Sequence, residues 1–141
     1  MLKTINLSCQ RLNPLAKDTG ALWAVYCQRP GMISKYASYI YEREGKSMLE
    51  TEHGFATYWF PNNDVCYLED LFVLPDHRKS NVATDLANQI CEIAKSKGCK
   101  RLLGSINLNT KNPTRNMKVF LAYGMQLASC DNNMIYLTKD L

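Results

Sequence analysis

The stretch from Val65 to Gly98 constrains the fold of this chain most. The run VCYLEDLFVLP is apolar along almost its whole length and is stopped by Pro75, as a strand buried at the centre of a sheet would be. A short polar loop, DHRKSN, follows. The segment VATDLANQICEIAKSKG then places Val82, Ala83, Leu86, Ala87, Ile90, Ile93 and Ala94 on one face and Thr84, Asp85, Asn88, Gln89 and Glu92 on the other, and Gly98 is placed to close the helix. A buried strand that turns at once into a helix with a single apolar face requires a sheet covered by a helical layer.

The remaining segments extend that pattern. Residues 2–9 alternate weakly and read as a first strand, Pro14 to Arg29 suits a helix ended by Pro30 and Gly31, and a second helix is expected from about Met32 to Arg43, with Gly45 after it. SMLETEH and GFATYWF read as two paired strands before the turn PNND. After the long helix, KRLLGSI reads as a strand, Thr114 to Tyr123 as a helix stopped by Gly124, and MQLASC and MIYLTKDL as two strands around an Asp-Asn-Asn turn. The expectation is one α/β (α+β) domain over residues 1–141, built as a mixed sheet with helices packed on it.

At 141 residues, with 46% hydrophobic and 21% charged residues, the chain can form one domain with its own core. It has no apolar run near the roughly 20 residues that span a bilayer, and the start MLKTINLSCQ lacks an apolar signal segment, so the expected setting is soluble and cytoplasmic. Cys9, Cys27, Cys66, Cys91, Cys99 and Cys130 show no C-x-x-C pair and mostly lie in apolar stretches, which suits free thiols in a reducing compartment. With His53 and His77 as the only histidines, no metal site is expected. The net charge of +4 is spread along the chain, which favours phosphorylated ligands without implying nucleic acid or membrane partners. Lys95, Lys97, Lys100 and Arg101 read as a solvated helix end. Trp23, Trp59, Tyr39 and Tyr58 read as core aromatics.

The loop between strand and helix is where chemistry is expected. It leads backbone N–H groups to a helix N-terminus, whose unpaired donors and roughly half a positive charge bind phosphate oxygens. His77, Arg78 and Lys79 would add side-chain charge.

The run YLEDLFVLPDHRKSNVATDL resembles the signature strand, loop and helix of GNAT acetyltransferases, whose loop follows R/Q-x-x-G-x-G/A. Arg78, Lys79, Ser80, Asn81, Val82 and Ala83 stand at those positions; the ends match, and Asn81 replaces the middle glycine. Asn is the non-glycine residue best able to take left-handed backbone geometry, so the turn tolerates the change. The resemblance implies a mixed, mostly antiparallel sheet of about six to seven strands with helices on both faces, and acetyl-CoA as co-substrate with no metal. By the same resemblance Leu71, Phe72 and Val73 bind the pantetheine arm through their backbone, with the Val73 N–H toward the thioester carbonyl, where a donor lowers an acyl-transfer barrier. Arg78, Lys79, Ser80, Asn81, Val82, Ala83 and Thr84 would hold the pyrophosphate, and Asn112 would contact the cofactor. A homodimer is also implied.

Glu69 and Asp70 are adjacent acids inside an apolar strand. Period-two geometry would send them to opposite faces and bury one at a cost of several kcal/mol. GNAT proteins commonly carry a bulge here, and a bulge lets neighbours share a side. YLEDLFV further resembles polyamine and small-amine acetyltransferases, whose equivalent acids contact the cationic acceptor. The expected roles are therefore Glu69 as the base that takes the amine proton, directly or through water, and both acids as contacts of the ammonium, with Asp70 its anchor. The family also places a proton-donating Tyr four residues before a helix-ending Gly; here Gly124 is preceded by Phe120, and Tyr123 is the expected substitute. These residues read as an N-acetyltransferase acting on a primary amine, either a small amine or a polyamine-like acceptor. The alternatives are a catalytically weak GNAT-fold module for coenzyme A or protein binding, and a protein lysine or N-terminal acetyltransferase.

Overall fold

A computed structural model describes residues 34–141. The strand expected at residues 2–9 and the helix expected from Pro14 to Arg29 lie outside them. Helix α1 spans Lys35–Glu44: the Ser34 hydroxyl accepts from the Ala37 N–H, and Gly45, at φ 68°, ends the helix by donating to the Tyr41 carbonyl. Strands β1 (Ser47–Glu50), β2 (Gly54–Asn62) and β3 (Val65–Val73) follow as an antiparallel meander. A 3₁₀ turn (Pro75–His77) leads into helix α2 (Val82–Ser96), then β4 (Arg101–Asn107), helix α3 (Pro113–Ala122), and the hairpin of β5 (Gln126–Asp131) and β6 (Met134–Asp140). Asn132 and Asn133 turn that hairpin with both φ positive, the geometry a two-residue loop needs.

The six described strands form one sheet in the order β1-β2-β3-β4-β6-β5. Of the neighbouring pairs, β3 and β4 run parallel, joined through α2, and the others run antiparallel. The expected mixed, mostly antiparallel sheet is therefore present. Strand β2 runs two residues further than expected, with Pro61 in a register shift between Trp59 and Asn62, where the ladder does not require its missing N–H.

One sheet face carries Ala56, Tyr58, Cys66, Leu68, Leu102, Ile106 and Leu137 against Leu86, Ile90, Ile93 and Ala94 of α2, the apolar face expected from the sequence. Phe120 of α3 packs over Gly104 on the same side. Helix α1 covers the other face at β1, where the Ser34 N–H donates to the Glu50 carboxylate at 3.0 Å and Ala37 and Ile40 are buried. Two residues depart from expectation. Tyr39 is 53% exposed on α1 rather than in the core. Lys97 is not solvated with its neighbours: its stem is half-buried, its ammonium stands 4.5 Å over the Phe60 ring, and desolvation lowers its pKa. Among the described cysteines, Cys66, Cys91 and Cys99 are buried free thiols, and burial pushes the Cys66 thiol up to about 12. No helix among the described residues is long and apolar enough to cross a membrane.

Candidate active site

Strands β3 and β4 pair from Val65↔Arg101 to Leu68↔Gly104, and there the pairing ends. Beyond that point β3 stays on β2 as far as Val73↔Gly54, while β4 stays on β6 as far as Asn107↔Met134. The sheet therefore opens between them. The Leu74 N–H donates to the His53 carbonyl at 2.8 Å. Counting back along an antiparallel ladder, Leu71 and Val73 turn their backbone groups away from β2 and into the gap, while Phe72 turns its own toward β2. Of the three residues expected to offer backbone to a ligand, two are so placed. The Phe72 ring packs on Phe55 and lies under the Arg78 guanidinium.

The register between β2 and β3 shifts where the gap begins. Thr57 faces Asp70 and Tyr58 faces Leu68, so Glu69 is the extra residue of a β-bulge. Leu68 lies on the α2 side, and Asp70 sits opposite Thr57 on the other side; Glu69, one residue after Leu68, shares that side. Thr57 fixes the bulge from both ends. Its buried hydroxyl donates to Asp70 Oδ2 at 3.1 Å and accepts from the Asp70 N–H at 3.1 Å. The two acids thus share the face away from α2, beside the mouth of the gap, which resolves the burial problem their adjacency posed.

Glu69 is already paired. Its Oε2 lies 2.8 Å from Lys46 Nζ, and the same ammonium lies 2.7 Å from Glu44 Oε2. Hydrogen bonds to Glu44 and then Glu69 hold the Lys46 pKa above that of an ordinary lysine. On the same face the Tyr67 hydroxyl and Ser105 Oγ meet across the opening strands, and Tyr67 stacks at a tilt on Trp59 at 5.5 Å. Burial raises the Tyr67 pKa, against the Ser105 hydrogen bond, which lowers it. The indole N–H of Trp59 is buried with no acceptor among the described residues.

At the far end of β3 the loop delivers the chain to α2. Arg78 Nε donates to the Val73 carbonyl at 3.0 Å, and the Ser80 hydroxyl bonds the His77 carbonyl. Lys79 and Asn81 both have left-handed backbone, at φ 66° and 64°. Alternating left-handed residues before a helix turn successive N–H groups into one concavity, the shape that holds an anion. Asn81 is the N-cap of α2 in that conformation, as expected for a residue at the glycine position. The rings of His53 and His77 stack at 3.7 Å, tying this loop to the β1–β2 turn.

Residues 21–116 match the family model described as the acetyltransferase (GNAT) family. The chain belongs to this family. No curated protein sequence matches it. Among solved structures it is similar to nourseothricin acetyltransferase, at 21% identity and TM-score 0.55 over 62% of this chain; it spans 57% of that chain's length. A GNAT family acetyltransferase from Elizabethkingia anophelis with acetyl-CoA bound is 15% identical, with TM-score 0.59 over 77% of this chain and 84% of the other. A GNAT-family protein from Desulfovibrio desulfuricans is 13% identical, with TM-score 0.62 over 95% and 91%. At these identities the likeness concerns the GNAT fold.

The residue at the family's proton-donor position falls at the opening of the strands: Phe120 Cε1 lies 3.0 Å from where a Cβ on Gly104 would stand, and Gly104 is the last residue of β4 paired to β3. Tyr123 does not join it. Helix α3 ends at Ala122, and Tyr123, its C-cap, points its hydroxyl at α2, donating to Asn88 Oδ1 at 2.7 Å with Cys91 Sγ at 3.3 Å. Lys139 fixes it there, donating to the Tyr123 carbonyl and lying 4.0 Å over the ring. Burial, then the Cys91 contact, raises the Tyr123 pKa. Its partners lie six to nine residues into α2, about 9–14 Å along the axis from Val82. Asn112 caps α3, its side-chain oxygen accepting from the Arg115 N–H at 3.2 Å.

Lys46, Thr57, Ser105 and the His53–His77 stack were not singled out by sequence reasoning. One signal was available. A bulge needs something to satisfy its freed N–H, and a Thr in the paired strand is a natural supplier.

Proposed function

We propose that this chain is an acetyl-CoA-dependent N-acetyltransferase that passes the acetyl group directly to a primary amine. The observation that carries the reading is the coincidence of the strand opening, the bulge that turns Glu69 and Asp70 to one side of it, and the anion-shaped loop at the other end of the same strand. The residues fit the co-substrate: Leu71 and the Val73 N–H face the gap where the pantetheine arm would lie, and the N-terminal turn of α2, from Asn81 to Thr84, with Lys79 and Ser80 before it, holds the pyrophosphate. Arg78 acts mainly by bracing the Val73 carbonyl, which orients the peptide groups at the end of the gap. Bound acetyl-CoA supplies the activated thioester. Asp70 receives the acceptor's ammonium, Glu69 takes a proton from it directly or through water, and the Val73 N–H faces the carbonyl oxygen as charge grows there. The departing thiolate takes its proton from solvent, because Phe120 has none to give.

The test is release of free thiol from acetyl-CoA in the presence of monoamines, polyamines and lysine peptides. Glu69→Gln should lower kcat about a hundredfold for the preferred amine. No release above background with any amine, or a Glu69→Gln variant equal to wild type, would sink the enzymatic reading. Phe120 at the donor position and the prior engagement of Glu69 by Lys46 favour a second reading, a GNAT-fold module that binds coenzyme A without useful turnover. Calorimetric titration showing tight coenzyme A binding with no thiol release would select it. The buried free thiols support a reducing, cytoplasmic setting.

A further inference from the structure

Lys46 reaches Glu69 from the far side of a neighbouring strand. It precedes β1, β2 lies between β1 and β3, and strands two positions apart are about 9.5 Å from each other, so the pair spans β2 on the face that carries Thr57 and Trp59. This is the face on which the bulge presents both acids. Glu69 Oε2 is buried, with the Lys46 ammonium 2.8 Å away, and Glu44, half exposed at the end of α1, holds that ammonium from the other side. Asp70 has Oδ2 on Thr57, is exposed, and pairs with no cation among the described residues.

We propose that Lys46 is a specificity-determining residue that fills the place of a second substrate cation, so that the site holds an amine by one positive charge and gives di- and polyamines no second anchor. The inference rests on the proposed amine acetyltransferase activity. With the Lys46 ammonium held between Glu44 and Glu69, an acceptor anchored on Asp70 finds Glu69 already engaged by an internal cation. Selection comes from an acid that is already paired rather than from an added contact. The polyamine-like acceptor suggested by the run YLEDLFV is thereby narrowed to a monoamine, because the acid that would read a second cation is neutralised from within.

The experiment compares propylamine with 1,3-diaminopropane, which differ at one end by an ammonium, on wild type, Lys46→Met and Lys46→Arg. Two readouts are taken: the ratio of kcat/KM for diamine over monoamine, and the ratio of their affinities for the protein saturated with coenzyme A, measured by calorimetry. Wild type should gain nothing from the second ammonium. Lys46→Met should raise both ratios about tenfold, Lys46→Arg should keep the wild-type ratios, and the difference should shrink in high salt, where exposed charges are screened. Unchanged ratios in Lys46→Met, or Lys46→Arg behaving like Lys46→Met, would overturn the proposal. If no amine is acetylated, the proposed activity fails, and the affinity ratio alone decides the role of Lys46. Lys46 is partly buried, and circular dichroism checks that each variant is folded.

Discussion

The two ends of β3 are built in different ways. At the loop end the groups proposed to bind are backbone: the edge at Leu71 and Val73 that faces the gap, and the N–H groups at left-handed Lys79 and Asn81 before α2. At the bulge end they are side chains: Glu69 on Lys46, Asp70 on Thr57, Tyr67 on Ser105. A backbone site requires that the chain can adopt its dihedrals and that nothing crowds it, whereas a side-chain site requires particular partners. The loop end should therefore respond to changes of conformation and space, and the bulge end to changes of chemistry.

The hardest test at the loop end is Gly54→Ala. Gly54 pairs with Val73, and an added Cβ would stand 2.3 Å from the Phe72 carbonyl oxygen, a backbone atom that cannot swing aside. The expected loss is about 3 kcal/mol of stability, read as a lowered denaturant midpoint, with weakened acetyl-CoA binding in whatever folds. A variant with wild-type stability and affinity would break the claim that β2 sets the Val73 backbone.

Thr57→Val tests the bulge end at nearly constant shape. It removes the hydroxyl that both donates to the Asp70 carboxylate and accepts from its N–H, leaving the bulge unsatisfied at a cost of about 2 kcal/mol. Turnover with the amine should fall, and the KM for acetyl-CoA should hold. Equal losses for both substrates would show that the two ends are not separable.

The same division decides what was legible in the sequence. Two acids in an apolar strand left one of them buried unless the strand carried the bulge that the GNAT resemblance implied, and the register shift at Glu69 supplies it. Asn81 at a glycine position demanded left-handed geometry, and it has φ 64°. Both are local arguments about what one segment tolerates. Lys46 and Glu69 are 23 residues apart in the chain, and Tyr67 and Ser105 are 38 apart; such pairs come from strand order, which periodicity does not specify. Tyr123 stands apart for a related reason. It keeps helical backbone as the C-cap, three residues after Phe120, but its hydroxyl is held by Asn88 and Cys91 of α2, partners that spacing along α3 does not specify.

Asn81 sharpens the backbone half of the comparison. Asn81→Gly should bind acetyl-CoA as well as wild type or better, whereas Asn81→Val, a β-branched residue forced to φ 64°, should lose about 1–2 kcal/mol in the turn, close to tenfold in affinity by calorimetry. If Val is tolerated as well as Gly, the turn is not what holds the pyrophosphate.

Tyr123→Phe is the smallest change and separates packing from catalysis. With its hydroxyl committed to Asn88 and Cys91, the variant should keep kcat within about twofold of wild type and lose about 1 kcal/mol of stability with the hydrogen bond. The pH dependence supplies an independent check. Burial raises the Tyr123 pKa above its ordinary 10.0, so above that pH the unfolded chain gives up the proton while the folded one keeps it. The stabilisation is therefore complete below pH 10 and is lost as pH climbs toward the raised folded value. Removing the hydroxyl should make the alkaline fall in stability shallower while the pH profile of turnover stays where it was. A large drop in kcat with stability intact would instead return Tyr123 to the chemistry, and would mean that the end of α3 swings from α2 to the strand opening when substrates bind.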